Sequence, residues 1–124
     1  MFKLDRMVGF AMTTKPEQAL NYYRDVLGFK LVKDDGFALV FDAHGSMLRV
    51  GKGVKFTPAP YTILGWQVAD IKKAAADLSK QGVAFARFPG MPQDELGIWT
   101  APDGDSVAWF KDPDGNVLSI SQHK

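Results

Sequence analysis

The side chains in this 124-residue chain that could do chemistry are few. Arg49 carries a planar guanidinium, a fixed donor fork for a carboxylate, phosphate or enolate oxygen. Gln67 and Ser119 could complete the hydrogen bonds of such a group. The acidic pair Asp94–Glu95 offers a candidate base in Glu95, and Trp99 or Trp109 could stack on a planar molecule. Each has a plainer reading: a rim arginine, a solvated acidic pair, tryptophans filling a hairpin. The two histidines, His44 and His123, fall in a turn and one residue from the end, where imidazoles are mostly solvated. With no cysteine, thiolate catalysis and Cys-ligated metals are excluded. No nucleophile–base–acid constellation and no phosphate-cradling glycine loop can be read, so hydrolase and nucleotide chemistry find no support.

The elements that must position these side chains occur twice. Gly9, Phe10 and Met12 are matched by Gly65, Trp66 and Val68, each 56 positions on, and Ala19 by Ala75. Phe41-Asp42-Ala43-His44-Gly45 is echoed by Lys111-Asp112-Pro113-Asp114-Gly115, and Met47 to Val50 by Val117 to Ile120, at an offset of 70. A duplicated unit implies pseudo-twofold symmetry, with a site at the seam between copies. In the first copy, Met7 to Thr13 reads as a buried strand. Pro16 opens a helix capped by Thr14, with Ala19, Leu20, Tyr23, Val26 and Leu27 on one face, ended by Gly28. Strands follow at 29–33, 37–41 and 47–50. The second copy has a strand at Thr62 to Val68, then a helix from the Asp70 cap to Gln81. Strands at 83–88, 106–111 and 117–121 complete it.

The expected organisation is therefore an α+β chain of two tandem βαβββ modules related by pseudo-twofold symmetry. Module 1 covers about 1–52, the linker 53–61 and module 2 about 62–124. Matching glycines are 54 apart at Gly28/Gly82 but 70 apart at Gly45/Gly115, so module 2 has gained 16 residues. They form an inserted hairpin over 89–105, with a Pro-rich approach, of the kind that often carries specificity.

The bulk numbers agree with one ordinary globular domain. Hydrophobic residues make up 46% and charged residues 23%, and the net charge of +1 is well mixed. No basic stripe points to nucleic acid, and no apolar run approaches the roughly 20 residues of a membrane span. The N-terminal apolar run is broken by Asp5 and Arg6, too early for a signal peptide, so a cytoplasmic protein is the default expectation.

Two motifs carry a resemblance. Ala19-Leu20-Asn21-Tyr22-Tyr23-Arg24-Asp25-Val26-Leu27-Gly28-Phe29 is similar to the "A-x-x-F-Y-x-x-x-L-G-F" segment of the vicinal oxygen chelate superfamily. Phe110-Lys111-Asp112-Pro113-Asp114-Gly115-Asn116-Val117-Leu118 is similar to its "F-x-D-P-D-G-N-x-L" ending. That group includes glyoxalase I, extradiol dioxygenases, and the fosfomycin- and bleomycin-resistance proteins. The resemblance implies that the modules form a curved mixed sheet around a central cup, with ligands for a divalent metal on the first and last strands of each module. The matching positions here are Met7 (or Val8), Arg49, Ile63 and Ser119, none a usual metal ligand, and Arg49 would set a cation where the metal sits. The resemblance therefore implies no metal and no cofactor in this chain.

With period-two alternation, the faces sharing those positions should line the cup: Met7, Gly9 and Ala11; Met47 and Arg49; Ile63, Gly65 and Gln67; Val117, Ser119 and Ser121. Phe10, Trp66, Leu118 and Ile120 should pack under the helices. A cup of this make-up suits a small amphipathic organic molecule with an acidic or carbonyl oxygen. The counter-charge for Arg49 would be that oxygen, or Asp94 and Glu95. Three readings follow: a metal-free binding protein, bleomycin-resistance-like in kind; a glyoxalase-, lyase- or isomerase-like enzyme using Arg49 and Glu95 in place of a metal; or an interaction module. A homodimer is expected from the resemblance alone.

Overall fold

The structure is a computed structural model that describes residues 2–124. The chain divides into two compact units, Met1–Thr57 and Pro58–Lys124, with the boundary inside the expected linker. The first holds β1 (Val8–Thr13), a helix, β2 (Lys30–Asp34), β3 (Ala38–Ala43) and β4 (Ser46–Lys52). The second holds β5 (Thr62–Gln67), a helix, β6 (Trp99–Thr100), β7 (Ser106–Lys111) and β8 (Val117–Gln122). The sheets are ordered β1-β4-β3-β2 and β5-β8-β7-β6, so the repeat holds in topology as well as in residues. In each, the first strand runs parallel to the last, and the helix lies in the crossover that parallel pairing needs.

The helix of the first unit starts at Pro16, as the sequence requires, but is α-helical only to Asn21 (α1, Pro16–Asn21). It continues as a π-helical turn over Tyr22–Val26, closed by Leu27 N–H donating to Tyr22 O at 3.0 Å. Thr14 is not the cap. The N-cap position is Lys15, whose N–H donates to Thr13 Oγ1. Tyr23, fully buried, packs its ring 5.7 Å from Phe41, so this helix covers the Leu39, Phe41, Leu48 and Val50 face of the sheet. In the second unit α2 (Ile71–Lys80) is capped as expected, Asp70 Oδ1 accepting from Lys73 N–H. Its buried Ile71 and Ala75 lie four apart on one face. Gln122 Oε1 accepts from Ile71 N–H, which fixes α2 over the Leu118, Ile120 and Gln122 side of β8.

Two expectations fail in instructive ways. The segment 83–88 joins no ladder and touches β7 through one backbone bond, Ala86 N–H to Trp109 O. Gln93 is the cause. Its Nε2 donates to Ala86 O and its Oε1 accepts from Phe88 N–H, taking groups that a strand would offer. The edge of β7 is filled instead by β6, which belongs to the inserted segment.

The second failure is the face of β1. Phe10 does not pack under the helix; it is 65% exposed, while Ala11 and Thr13 are buried. Phe10 sits beside Arg49 and Val8 beside Met47 in the parallel ladder, so Val8, Phe10, Met47 and Arg49 share the open face. Gly9 and Ala11 belong to the covered one. Met7 precedes the strand and is exposed. A nearly continuous apolar run carries no alternation to set its phase, and a one-residue slip reverses every side chain.

Candidate functional site on the open face of the second sheet

The register of β5, β8, β7 and β6 gathers four of the expected site residues. Ser119 lies beside Gly65 on one side and Trp109 on the other; Ser121 lies beside Gln67 and Val107; Val107 in turn faces Trp99. All of them point away from α2, because Leu118 and Ile120 take the opposite face. Gly65 keeps this surface low. A Cβ there would lie 2.6 Å from Ser119 Oγ. Ser119 is itself buried, and Gln67 is exposed.

Aromatic rings wall one side. Trp99 and Trp109 have centroids 6.2 Å apart with planes at 36°, and Phe88 meets Trp109 edge-on at 5.4 Å. The two tryptophans are each half-buried, leaving ring surface for contact. Phe88 is a member that the sequence reading placed in a strand and gave no role. The inserted segment thus builds part of this wall through Trp99.

The same face carries an arrangement the sequence reading excluded. Ser121 Oγ lies 2.8 Å from His123 Nε2, and His123 Nδ1 lies 2.7 Å from Asp105 Oδ2. A carboxylate only accepts, so Nδ1 carries the proton and, in the neutral ring, Nε2 accepts from the serine hydroxyl. The turn before β7 fixes Asp105: its N–H donates to Asp103 Oδ1 and its carbonyl accepts from Ala101 N–H. Lys124 N–H, then the His123 ring, hold the Asp105 carboxyl below the usual carboxylate range. Ser-x-His at a strand end was the readable signal, since side chains two apart share a face. Asp105, 18 residues away, was not readable.

Arg49 belongs to the first unit, where it lies on the open face of the first sheet. Its guanidinium donates to Asp35 Oδ2 at 2.7 Å, and both side chains are about three-quarters covered. Its counter-charge is therefore Asp35 and neither Asp94 nor Glu95. Asp35 is held in turn by Phe37 and Ala38 N–H groups on its Oδ1. Beside Arg49's neighbours lies an open depression of about 360 Å³, lined by Val8, Val32, Val40 and Met47 with Asp42 at its rim. Asp94 is a turn former, its Oδ1 accepting from Leu96 and Ile98 N–H. Glu95 is exposed, and its backbone carbonyl accepts from Arg87. These contacts give Asp94 a structural role in the turn and leave Glu95 without a setting as a base.

The side chains at the positions where the resemblance implies a metal do not fit a divalent ion. Arg49 is a paired cation, Ser119 a buried hydroxyl beside Gly65, and Met7 lies outside β1. Among the described residues no three His, Asp or Glu side chains gather as a metal site, and no helix is long and apolar enough to cross a membrane.

Solved structures show where this architecture recurs. A member of the glyoxalase/bleomycin resistance protein/dioxygenase superfamily from Sphaerobacter thermophilus is 23% identical, with 98% of each chain covered and a TM-score of 0.75. Lactoylglutathione lyase from Agrobacterium tumefaciens is 16% identical over 95% of this chain and 92% of its own, with a TM-score of 0.72. TioX from Micromonospora sp. ML1 is 17% identical over 97% and 99%, with a TM-score of 0.70. At these identities the likeness is one of fold. No curated protein matches the chain in sequence. The sequence profile of one family, however, matches residues 3–120. With paired βαβββ modules of identical strand order and a profile match over nearly its whole length, the chain belongs to the Glyoxalase/Bleomycin resistance protein/Dioxygenase superfamily.

Proposed function

We propose that this protein binds a small amphipathic organic molecule on the open face of its second sheet, without a metal. The observation that carries this reading is the aromatic wall of Trp99, Trp109 and Phe88 standing beside a floor kept low by Gly65. A planar apolar group gains most from stacking against such rings, while Gln67 and Ser119 supply hydrogen bonds that set its orientation. Arg49 is already neutralised by Asp35, so the reading places no anionic demand on the ligand. The enzyme alternative built on Arg49 and Glu95 draws no support from either side chain's setting.

The test is fluorescence titration with 1-anilinonaphthalene-8-sulfonate, an amphipathic aromatic probe with one acidic group, in excess EDTA and, separately, in zinc without EDTA. Saturable binding of equal affinity in both is the expected result. Binding that needs zinc would overturn the metal-free reading. A homodimer belongs to the same proposal, supported by the exposed Val8, Phe10, Val32 and Met47 of the first unit. Sedimentation showing a monomer at high concentration would reject that part.

A further inference from the structure

We propose that Ser121, His123 and Asp105 form an acyl-transfer site, a nucleophilic serine activated by a histidine that a carboxylate orients. The chain of 2.8 Å and 2.7 Å hydrogen bonds has the connectivity that makes a hydroxyl nucleophilic. Three features fit it to a reaction. Ser121 stands on β8, an interior strand of the sheet, so its position is rigid. Its cross-strand neighbour on the parallel strand β5 is Gln67, exposed and on the same face, with neighbouring strands about 4.8 Å apart. The Gln67 carboxamide can therefore donate to an oxygen developing charge above Ser121. On the other side Val107 and then Trp99 continue the face, and Trp109 lies diagonally, which favours an ester with an aryl or apolar group.

The step is an ester hydrolysis. Ser121 Oγ bonds to the ester carbonyl carbon as its proton passes to His123 Nε2. The tetrahedral adduct collapses, the carbon–oxygen bond to the leaving group breaks, and Nε2 returns the proton to that oxygen. Water, giving a proton to the same nitrogen, then adds to the acyl carbon; the bond from that carbon to Ser121 Oγ breaks, Nε2 returns the proton to Oγ, and a carboxylic acid leaves. Asp105 touches no reacting atom; it is a positioning residue that fixes the productive tautomer.

This site shares its sheet face with the binding reading and rests on it only for the choice of ester. Covalent labelling separates the two. The full chain is treated with diisopropyl fluorophosphate and followed by intact mass and peptide mapping. One adduct, on Ser121 and absent from Ser121→Ala, is expected, with Ser119 unmodified. His123→Gln should slow labelling about a hundredfold, the usual scale of a general base. Asp105→Asn keeps an acceptor for Lys124 N–H but presents an amide to Nδ1. It should lower kcat for 4-nitrophenyl acetate at least tenfold with KM within twofold, and leave near-ultraviolet circular dichroism unchanged. No adduct, an adduct elsewhere, or an unchanged rate in His123→Gln would leave the three residues a structural clamp on the segment after β8 and would overturn the proposal. Probe binding would stand regardless.

Discussion

Asp35 receives a 2.7 Å hydrogen bond from Arg49 across the open face of the first sheet, and this pairing settles the arginine's charge within its own unit. Arg49, followed by the N–H groups of Phe37 and Ala38, holds the Asp35 carboxyl at about 2, against an ordinary 3.8. A carboxyl lowered by folding stabilises the fold above its unfolded pKa, and that contribution is lost as pH falls through the folded value. Asp35→Asn should therefore lower the melting temperature at pH 7 and have little effect near pH 2. An equal loss at both pH values would contradict the pairing.

Replacing Arg49 by Met acts on the same pair from the other side. It leaves the partly covered Asp35 without its cation, so the melting temperature at pH 7 should fall. The affinity for 1-anilinonaphthalene-8-sulfonate should stay within twofold of the parent. A large loss of affinity with an unchanged melting temperature would place Arg49 in the binding site after all.

Gly65 and Ser119 are expected to be coupled. A methyl group at position 65 meets Ser119 Oγ at 2.6 Å, so the hydroxyl must rotate from its place. Gly65→Ala alone should destabilise the fold, and adding Ser119→Ala should recover part of the loss, a coupling of about 0.5–3 kcal/mol in a double-mutant cycle. Strictly additive effects would mean that the two side chains do not meet.

Much of the architecture was legible because duplication, capping and turn chemistry are local. Asp70 and the Gly-terminated helices can be read from adjacent residues. Asp112-Pro113-Asp114-Gly115-Asn116 is another such signal. The phase of β1 was not legible, because its residues are apolar on both faces and only tertiary packing, which buries Ala11 and Thr13, decides which face is covered. The failure of 83–88 as a strand depends on the side chain of Gln93, a long-range choice no periodicity reports. At the site, Gln67, Ser119, Trp99 and Trp109 share a face because strand alternation is a sequence property. The partners of Arg49 and His123 lie 14 and 18 residues away and are set by turns.

The Asp112 carboxylate is the hub of the last turn. It accepts from Asp114 N–H, Asn116 N–H and Asn116 Nδ2 while only 6% exposed. Asp112→Ala leaves those donors without their acceptor and should cost about 2–3 kcal/mol in urea unfolding, as for hydrogen bonds to a charged group. A change under about 0.5 kcal/mol would match an ordinary surface substitution and contradict this role.

The aromatic wall of the second sheet is tested most directly by the affinity of 1-anilinonaphthalene-8-sulfonate for Trp109→Leu, with Phe37→Leu as a control on the exposed turn of the first unit. Loss of stacking should weaken binding roughly tenfold, about 1.4 kcal/mol, in Trp109→Leu and leave Phe37→Leu unchanged. Undiminished binding in a folded Trp109→Leu protein would contradict the proposed site.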